Sequence, residues 1–203
     1  SVTSEMARRR DLRGRLQPLI DGLHPAQRAF VTDKSRRKAA LCSRRAGKSH
    51  GLAVWLLEGA ALSSPETLSL YIAITRGHAK RILWQTLRQL DAKYHLHLVW
   101  HEQDLCVEWP GGGKIWLTGC PDSSHAEVYR GPAYRRVAVD EAASFPSYLD
   151  ALVDDVLTPA LLDWGGELAL VGTPGLSPSG LFFDATTSGR WSVHRWTLLD
   201  NPH

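Results

Sequence analysis

The segment at residues 43–49, Ser-Arg-Arg-Ala-Gly-Lys-Ser, has residue types and a spacing that suit the binding of phosphate groups. It lies between a short apolar run and a segment with the apolar pattern of a helix, which is the strand–loop–helix context of a P-loop. Free N–H groups at a helix N-terminus bind anions. Gly47 lets the backbone approach the phosphates, Lys48 supplies a positive charge, and the Ser49 hydroxyl can ligate Mg²⁺. The segment therefore predicts a site for a nucleoside triphosphate.

One position departs from the complete P-loop pattern. Cys42 stands where Gly-x-x-x-x-Gly-Lys-Ser/Thr has its first glycine. Because Gly-Lys-Ser is a common tripeptide, a chance occurrence in a basic loop explains this segment equally well when it is taken alone. Two further segments favour the nucleotide site.

The first of these segments, Arg-Val-Ala-Val-Asp-Glu at residues 136–141, is an apolar run that ends in two carboxylates. This pattern indicates a buried parallel strand, and ligands of open α/β sheets bind at the carboxyl ends of such strands. Asp140 would hold Mg²⁺ through its water shell, and Glu141 would orient or deprotonate the attacking water. The alternative is that Asp140 caps the following helix.

The second segment, Leu-Ala-Leu-Val-Gly-Thr-Pro at residues 168–174, is another apolar strand with a polar end. Thr173 could sense the γ-phosphate or the attacking water from that position. Taken alone, the segment is explained as a strand followed by a turn, because proline and glycine follow it. Its position after the other two segments favours a coupling role.

Composition places the chain among ordinary globular proteins. It has 203 residues, 43% of them hydrophobic and 22% charged, with a net charge of +3 and a pI of about 8.9. It has no apolar signal core near residue 1 and no run of about 18 apolar residues, and its three cysteines have no paired spacing. Basic clusters at residues 8–10, 36–38 and 135–136 indicate either a nucleic-acid partner or solvated surface. The alternating residues 95–99 indicate the exposed face of a strand rather than a metal site.

Strands alternate with helices along most of the chain. We predict helices at residues 3–22, 25–31, 50–61, 79–94, 148–162 and 181–185, and strands at 39–42, 68–74, 105–109, 114–117, 137–140, 168–171 and 191–198. The two strands that flank Pro-Gly-Gly-Gly at residues 110–113 form a hairpin. The order predicts an α/β fold with a mainly parallel sheet and helices on both faces.

With these segments in this order, the chain resembles the ATPase domain of the large terminase subunit, the DNA-packaging motor of tailed bacteriophages, over nearly its whole length. Terminases often lack the leading glycine and carry an arginine inside the loop. Tyr-Arg-Gly at 129–131 is similar to the element that precedes their Asp-Glu strand. Val-Gly-Thr-Pro-Gly at 171–175, followed by Ser-Gly-Leu-Phe-Phe at 179–183, is similar to their coupling motif. Asp-Asn-Pro at 200–202 resembles the start of their lid.

The resemblance implies a RecA-like (ASCE) P-loop NTPase and a set of site residues. Gln27 is similar to the glutamine that reads adenine, and the residues that hold the nucleotide would be Gln27, Ser43, Arg44, Arg45, Ala46, Gly47, Lys48 and Ser49. Glu141 would be the catalytic base. Arg44 in cis and Arg130 in trans are the two candidates for an arginine finger, and Arg45 is a weaker alternative to Arg44. A salt bridge or DNA contact for Arg44, and a turn-fixing role for Arg130, are the structural alternatives.

The resemblance also implies the wider function. ATP and Mg²⁺ would be the ligands, and ATP hydrolysis would drive double-stranded DNA, without sequence preference, into a procapsid. The portal protein, the small terminase subunit and further copies in a ring would be partners, although the isolated chain can be a monomer. The location would be the host cytoplasm. A helicase-like translocase and a nucleotide-switched assembly module with little turnover are the alternatives.

The same resemblance predicts how the chain is divided. Residues 1–203 would form one ATPase domain, with a helical extension at 1–35, the core at 36–199 and the start of a lid at 200–203. We expect no nuclease domain and no nuclease activity in this chain.

Overall fold

The computed structural model describes residues 2–145, 147–175 and 178–201, and for residues 2–10 and 13 it describes the backbone only. The strands of this described part are β1 (Arg37–Cys42), β2 (Leu68–Ala73), β3 (Val99–His101), β4 (Cys106–Glu108), β5 (Lys114–Gly119), β6 (Tyr134–Asp140), β7 (Glu167–Gly172) and β8 (Ser192–Trp196). They form one sheet in the order β3-β4-β5-β2-β6-β7-β1-β8. The six strands from β5 to β8 in that order are parallel, and β4 runs antiparallel to both β5 and β3.

The helices cover both faces of the sheet. The α-helices are α1 (Val2–Asp21), α2 (Pro25–Thr32), α3 (Lys48–Ala61), α4 (Arg76–Ala79), α5 (Gln85–Tyr94), α6 (Ser123–Ala126), α7 (Leu149–Ala151), α8 (Thr158–Ala160) and α9 (Leu181–Thr187). A π-helical turn at Lys80–Trp84 joins α4 to α5, and another at Leu152–Leu157 joins α7 to α8. Short 3₁₀ helices lie at Glu127–Tyr129, Ala142–Ser144 and Leu198–Asp200.

Each central strand sends alternate side chains into two separate cores. On β1, Ala40 and Cys42 pack with α1, α2, α3 and α5, whereas Ala39 packs with α7, α8 and α9 on the other face. This two-residue alternation is the geometry of a pleated strand that is buried on both sides. The predicted α/β fold, with a mainly parallel sheet between two helical layers, is therefore confirmed.

Every predicted helix and strand has a counterpart in the structure, but several bounds differ and two elements, β3 and α6, are not predicted. The strand predicted at 137–140 begins at Tyr134, and the helix predicted at 79–94 begins at Arg76 and contains a π-helical turn. The predicted exposed strand face at residues 95–99 is wrong. His95 and His97 have φ angles of 51° and 56°, and His95 ends α5 in the left-handed conformation, so the strand begins only at Val99. The predicted strand 191–198 ends at Trp196, because the Thr197 side chain caps the 3₁₀ helix that follows. The predicted helix at 50–61 begins two residues earlier, at Lys48.

No helix among the described residues is long and apolar enough to cross a membrane.

Candidate nucleotide-binding site

The three segments singled out in the sequence lie side by side at the carboxyl edge of the sheet. Strand β7 lies between β1 and β6, with Gly172 opposite Leu41 and Val171 opposite Asp140. Because the three strands are parallel, the loop after β1, the acids at the end of β6 and Thr173 after β7 all follow strand ends at the same edge. The topology thus brings together groups that the sequence spreads over positions 43 to 173.

The loop after β1 has the backbone that its glycine permits. Gly47 has φ 77° and ψ 22°, in the left-handed region, and it immediately precedes the first residue of α3. A Cβ atom at this position would lie 2.6 Å from Gln27 Nε2. The dihedral angles therefore make any side chain here strained, and a Cβ atom would also displace the Gln27 amide from its hydrogen bond to Gly47 O.

Cys42, at the position of the missing glycine, is part of the strand rather than of the loop. It is the last residue of β1 and is paired with Trp196 of β8. Its side chain is buried, and burial raises the pKa of the thiol to about 12. Cys42 therefore fills a core position, and the loop still has the left-handed conformation at Gly47.

Side chains from distant elements hold the backbone of the loop. Gln27 Nε2 donates a hydrogen bond to Gly47 O at 2.7 Å, Trp196 Nε1 donates to Ala46 O at 2.9 Å, and Asn201 Nδ2 donates to Arg45 O at 3.1 Å. In return, Ser43 Oγ accepts a hydrogen bond from the backbone N–H of Leu198 at 2.8 Å. Sequence reasoning missed Trp196, and it connected Asn201 with a lid rather than with the loop.

Gln27 uses both ends of its amide in this structure. Its Oε1 atom accepts a hydrogen bond from the backbone N–H of His24 at 3.2 Å, which completes a capping box at the start of α2, while its Nε2 atom bonds to Gly47. The side chain is buried between α2 and the loop. Gln27 is thus part of the loop's support, and adenine recognition by Gln27 stays a prediction.

Lys48 and the two acids at the end of β6 form a compact charged cluster. Lys48 Nζ lies 3.2 Å from Asp140 Oδ1, and it also forms an ion pair with Glu141 Oε1. Burial by itself would lower the pKa of the Lys48 ammonium, but Asp140 and Glu141 outweigh burial and raise it. The two carboxylates therefore favour the charged form of Lys48, which suits the binding of phosphate.

Asp140 is buried and receives hydrogen bonds on both oxygens. The Tyr71 hydroxyl donates to Asp140 Oδ2 at 2.7 Å, and the backbone N–H of Glu141 donates to Oδ1 at 2.8 Å. Tyr71 lies on the neighbouring strand β2 and was not singled out in the sequence, where it is one apolar-looking residue of a buried strand.

Glu141 differs from Asp140 in exposure and in backbone conformation. Its side chain is 37% exposed, against 1% for Asp140. Its φ and ψ angles of 54° and 37° are left-handed, an uncommon region for a residue with a side chain. The chain turns sharply here into the 3₁₀ helix, so that adjacent carboxylates have different surroundings: one is fixed and dry, and the other can reach water.

The remaining predicted residues lie around this cluster at different degrees of exposure. Arg44 and Arg45 are exposed on the loop, and Arg45 has φ 60°. Thr173 is half-buried directly after β7. Arg130 is exposed and forms an ion pair with Glu127 at 2.7 Å rather than with the acids of the cluster. A finger role for Arg44, Arg45 or Arg130 and the coupling role of Thr173 stay predictions.

The oxygen donors at this edge suit magnesium. Ser49, in the first turn of α3, offers a hydroxyl and Asp140 a carboxylate, and both are hard oxygen ligands. Among the described residues there is no group of three or more His, Cys, Asp or Glu side chains that could hold a metal ion by themselves. Magnesium in nucleotide sites takes one or two protein oxygens together with phosphate oxygens and water, and the residues present fit that arrangement.

In two of the basic clusters noted in the sequence, some members are exposed and others are buried. Arg36 and Arg37 are exposed, whereas the adjoining Lys38 is buried. Arg135 is partly exposed, whereas the adjoining Arg136 is buried. Only the exposed members of these clusters are open to an anionic partner.

No protein-family model and no curated protein sequence matches the chain. Solved structures do match. The large terminase of a thermophilic bacteriophage superposes with a TM-score of 0.73 at 16% sequence identity, over 88% of this chain and 46% of that chain. The chain thus spans about half the length of that terminase. The same thermophilic-phage terminase has also been solved in complex with ADP and with ATP-gamma-S.

Two further solved structures that match the chain are also described as phage large terminases. The large terminase ATPase domain of Thermus phage P74-26 matches with a TM-score of 0.60 at 18% identity, over 89% of this chain and 82% of that chain. The HK97 bacteriophage large terminase matches with a TM-score of 0.64 at 16% identity, over 86% and 39%. The resemblance predicted from the sequence is therefore confirmed at the level of the fold, and this chain has the α/β fold of the ATPase domains of phage large terminases.

Proposed function

We propose that this chain is the ATPase motor of a phage large terminase, which hydrolyses ATP to move double-stranded viral DNA into a procapsid. The observation that carries the proposal is the placement of Lys48, Asp140 and Glu141 in one cluster beside the Gly47 turn. The cluster combines a cation for phosphate, a fixed acid and a second acid that reaches solvent. The ligands named for the thermophilic-phage terminase, ADP and ATP-gamma-S, support a nucleotide as its occupant.

Each residue of the cluster has a distinct task in this proposal. Lys48 leaves its ion pairs with the acids and binds the β- and γ-phosphates, together with the backbone N–H groups of the loop. Glu141, thereby released, orients a water molecule for in-line attack on the γ-phosphorus and accepts its proton. Ser49 and Asp140 would hold Mg²⁺, which supplies neutralisation of phosphate charge when it is bound. Gln27 would bind the adenine.

The charge that develops on the γ-phosphoryl group needs a further cation. Arg44 would supply it from the same subunit, with Arg45 as the weaker candidate, and Arg130 would supply it to a neighbouring subunit. Arginine fingers accelerate hydrolysis in other NTPases by about 10³–10⁵. If Arg130 acts in trans, a ring of subunits hydrolyses ATP much faster than a monomer, and Thr173 reports phosphate release to the part of the motor that grips DNA.

We propose contacts between exposed arginines and DNA phosphates, because a translocase must accept every sequence. Arg36, Arg37 and Arg135 remain available for such contacts, whereas Lys38 and Arg136 are enclosed. DNA affinity should then fall steeply with salt, and affinity that is insensitive to salt would contradict this part of the proposal. The portal protein, the small terminase subunit and the host cytoplasm are the partners and the location that a packaging motor requires.

In domain terms, residues 1–35 would extend the ATPase core at 36–199, and residues 200–203 would begin the lid.

The experiment is ATP turnover by wild type and Glu141→Gln, measured with Mg²⁺ and with the assembled motor. Loss of a general base typically costs about 10²–10⁴ in rate, so we expect a fall of that size with nucleotide binding retained. Glu66→Gln is the matched control, because Glu66 lies just before β2 at the opposite edge of the sheet.

Turnover that survives Glu141→Gln would refute the catalytic assignment. Wild-type binding of ATP without appreciable turnover in any assembly would favour the nucleotide-switched module. Turnover stimulated by single-stranded rather than double-stranded DNA, with strand separation, would favour the helicase-like translocase.

A further inference from the structure

The carboxylate of Asp140 is held from both sides. Its Oδ2 atom accepts the hydrogen bond from Tyr71, while its Oδ1 atom accepts the Glu141 N–H and lies 3.2 Å from Lys48 Nζ. Tyr71 stands on β2, opposite Ala138 of β6, so its phenol ring extends along the sheet toward the end of the neighbouring strand. Because both oxygens accept hydrogen bonds, the carboxylate is fixed in one orientation. In it, Oδ2 faces β2 and Oδ1 faces the loop after β1.

Tyr71 and Asp140 meet in a fully buried place. Both Tyr71 and Asp140 are 0% exposed, so no water competes for the hydrogen bond between them. Burial, together with the charge of Asp140, raises the pKa of Tyr71 well above its ordinary value. The hydroxyl is the donor and the carboxylate the acceptor in this hydrogen bond of 2.7 Å.

We propose that Tyr71 is a positioning residue, which fixes the Asp140 carboxylate in the orientation needed to bind a magnesium–nucleotide complex. The inference rests on the proposed function, since it concerns how that same site takes its ligand. Tyr71 acts only through Asp140, because the hydroxyl is bonded to the oxygen that faces away from Lys48 and the loop. Groups that orient a metal-binding side chain typically change metal affinity or activity by about 10–100-fold when they are removed.

A matched pair of variants separates this role from simple packing. Tyr71→Phe removes the hydroxyl that bonds to Asp140. Tyr134→Phe removes a hydroxyl from an equally buried tyrosine on β6, whose oxygen has no hydrogen-bond partner among the described residues. Both variants keep the aromatic ring in the core, so differences between them report the hydrogen bond.

The measurement is binding of fluorescent mant-ATP while Mg²⁺ is titrated, with a parallel series in EDTA. For Tyr71→Phe we expect the Mg²⁺ concentration at half-maximal binding to rise about tenfold or more, with binding in EDTA unchanged. For Tyr134→Phe we expect both quantities to stay within about twofold of wild type. In an Asp140→Asn background, adding Tyr71→Phe should cause no further change, because the two residues act as one unit.

Three results would overturn the inference while leaving the proposed function intact, provided that wild type binds mant-ATP with Mg²⁺. They are an unchanged Mg²⁺ requirement in Tyr71→Phe, an equal shift in Tyr134→Phe, and a further shift of the same size in the Asp140→Asn background. A lowered melting temperature with an unchanged Mg²⁺ requirement would assign Tyr71 to packing alone. Failure of wild type to bind the magnesium–nucleotide complex would instead overturn the proposed function, and with it this inference.

Discussion

Two clusters of lysine, arginine and carboxylate side chains lie at opposite ends of the same strands, and they differ in access to water. The cluster near the amino ends contains Lys38, Arg136, Glu167 and Glu58, all less than 10% exposed. Arg136 lies 2.8 Å from Glu58 and 3.3 Å from Glu167, and Lys38 lies 3.5 Å from Glu167. No ligand can replace these partners without opening the core.

The cluster at the carboxyl edge has the same chemistry but an open side. The side chains of Lys48 and Glu141 are 12% and 37% exposed, and Arg44 and Arg45 of the preceding loop are exposed. Its ion pairs can therefore be exchanged for pairs with phosphate. The two clusters contain the same kinds of charged groups, so charge alone does not distinguish a structural cluster from a functional one. Solvent exposure and the conformation of the surrounding backbone distinguish them.

The largest effect that distinguishes the two clusters is expected on stability. Arg136→Met would leave Glu58 and Glu167 without their main partner in a dry site, which costs about 3–5 kcal/mol of unfolding free energy. Lys34→Met is the control, since Lys34 pairs with the same Glu58 at 3.1 Å but is 64% exposed, and such pairs contribute about 0–1 kcal/mol. Urea unfolding measures both, and equal costs would contradict the closed character of the amino-edge cluster.

A second pair of variants, Lys48→Met and Lys38→Met, compares the lysines of the two clusters. Lys48→Met should reduce ATP turnover by about 10²–10³, the usual effect of losing one donor to a charged transition state. It should cost less stability than Lys38→Met, because Asp140 keeps its bonds to Tyr71 and to the Glu141 N–H. Both variants are measured by ATP turnover and by urea unfolding. If Lys38→Met impaired turnover while leaving the free energy of unfolding nearly unchanged, the two clusters would not differ in the way described.

The smallest expected effect concerns pH. Burial alone would raise the pKa of Glu58, but Arg136 and Lys34 outweigh it and hold the pKa below its usual value. The stability from this group is therefore present at neutral pH and is lost as pH falls below about 4.3, the ordinary value for glutamate. In Arg136→Met the burial effect prevails, so the variant should lose less stability than wild type as the pH falls from neutral to well below about 4.3. Parallel loss in both proteins would show that Arg136 does not set the ionisation of Glu58.

Much of the fold and the outline of the site could be predicted from local sequence. Gly-Lys-Ser after an apolar run predicts the loop and α3, and parallel strands necessarily bring the ends of β1, β6 and β7 to one edge. For that reason the local sequence predicts the position of the acids at 140 and 141 at this edge, where the structure has them. Gly47 is likewise identified by its place in the local pattern Gly-Lys-Ser.

What the sequence did not predict depends on contacts between distant segments. Trp196 and Tyr71 look like ordinary core residues, and only the register of β8 and β2 directs their polar atoms to the loop and to Asp140. Lys38 and Arg136 look like members of surface clusters, since burial of a charge requires partners that come from other elements. His95 and His97 are exposed and alternate with buried leucines as they would in a strand, but here the left-handed end of α5 produces the alternation.

The central claim is that the carboxyl-edge cluster exchanges its internal ion pairs for a magnesium-bound nucleotide. A crystal structure of this chain with Mg²⁺ and ATP-γ-S tests that claim most directly. We predict that the β- and γ-phosphates contact Lys48 and the N–H groups around Gly47, and that Lys48 no longer pairs with Glu141. A nucleotide bound elsewhere, with the Lys48–Glu141 pair intact and no phosphate in the loop, would contradict it.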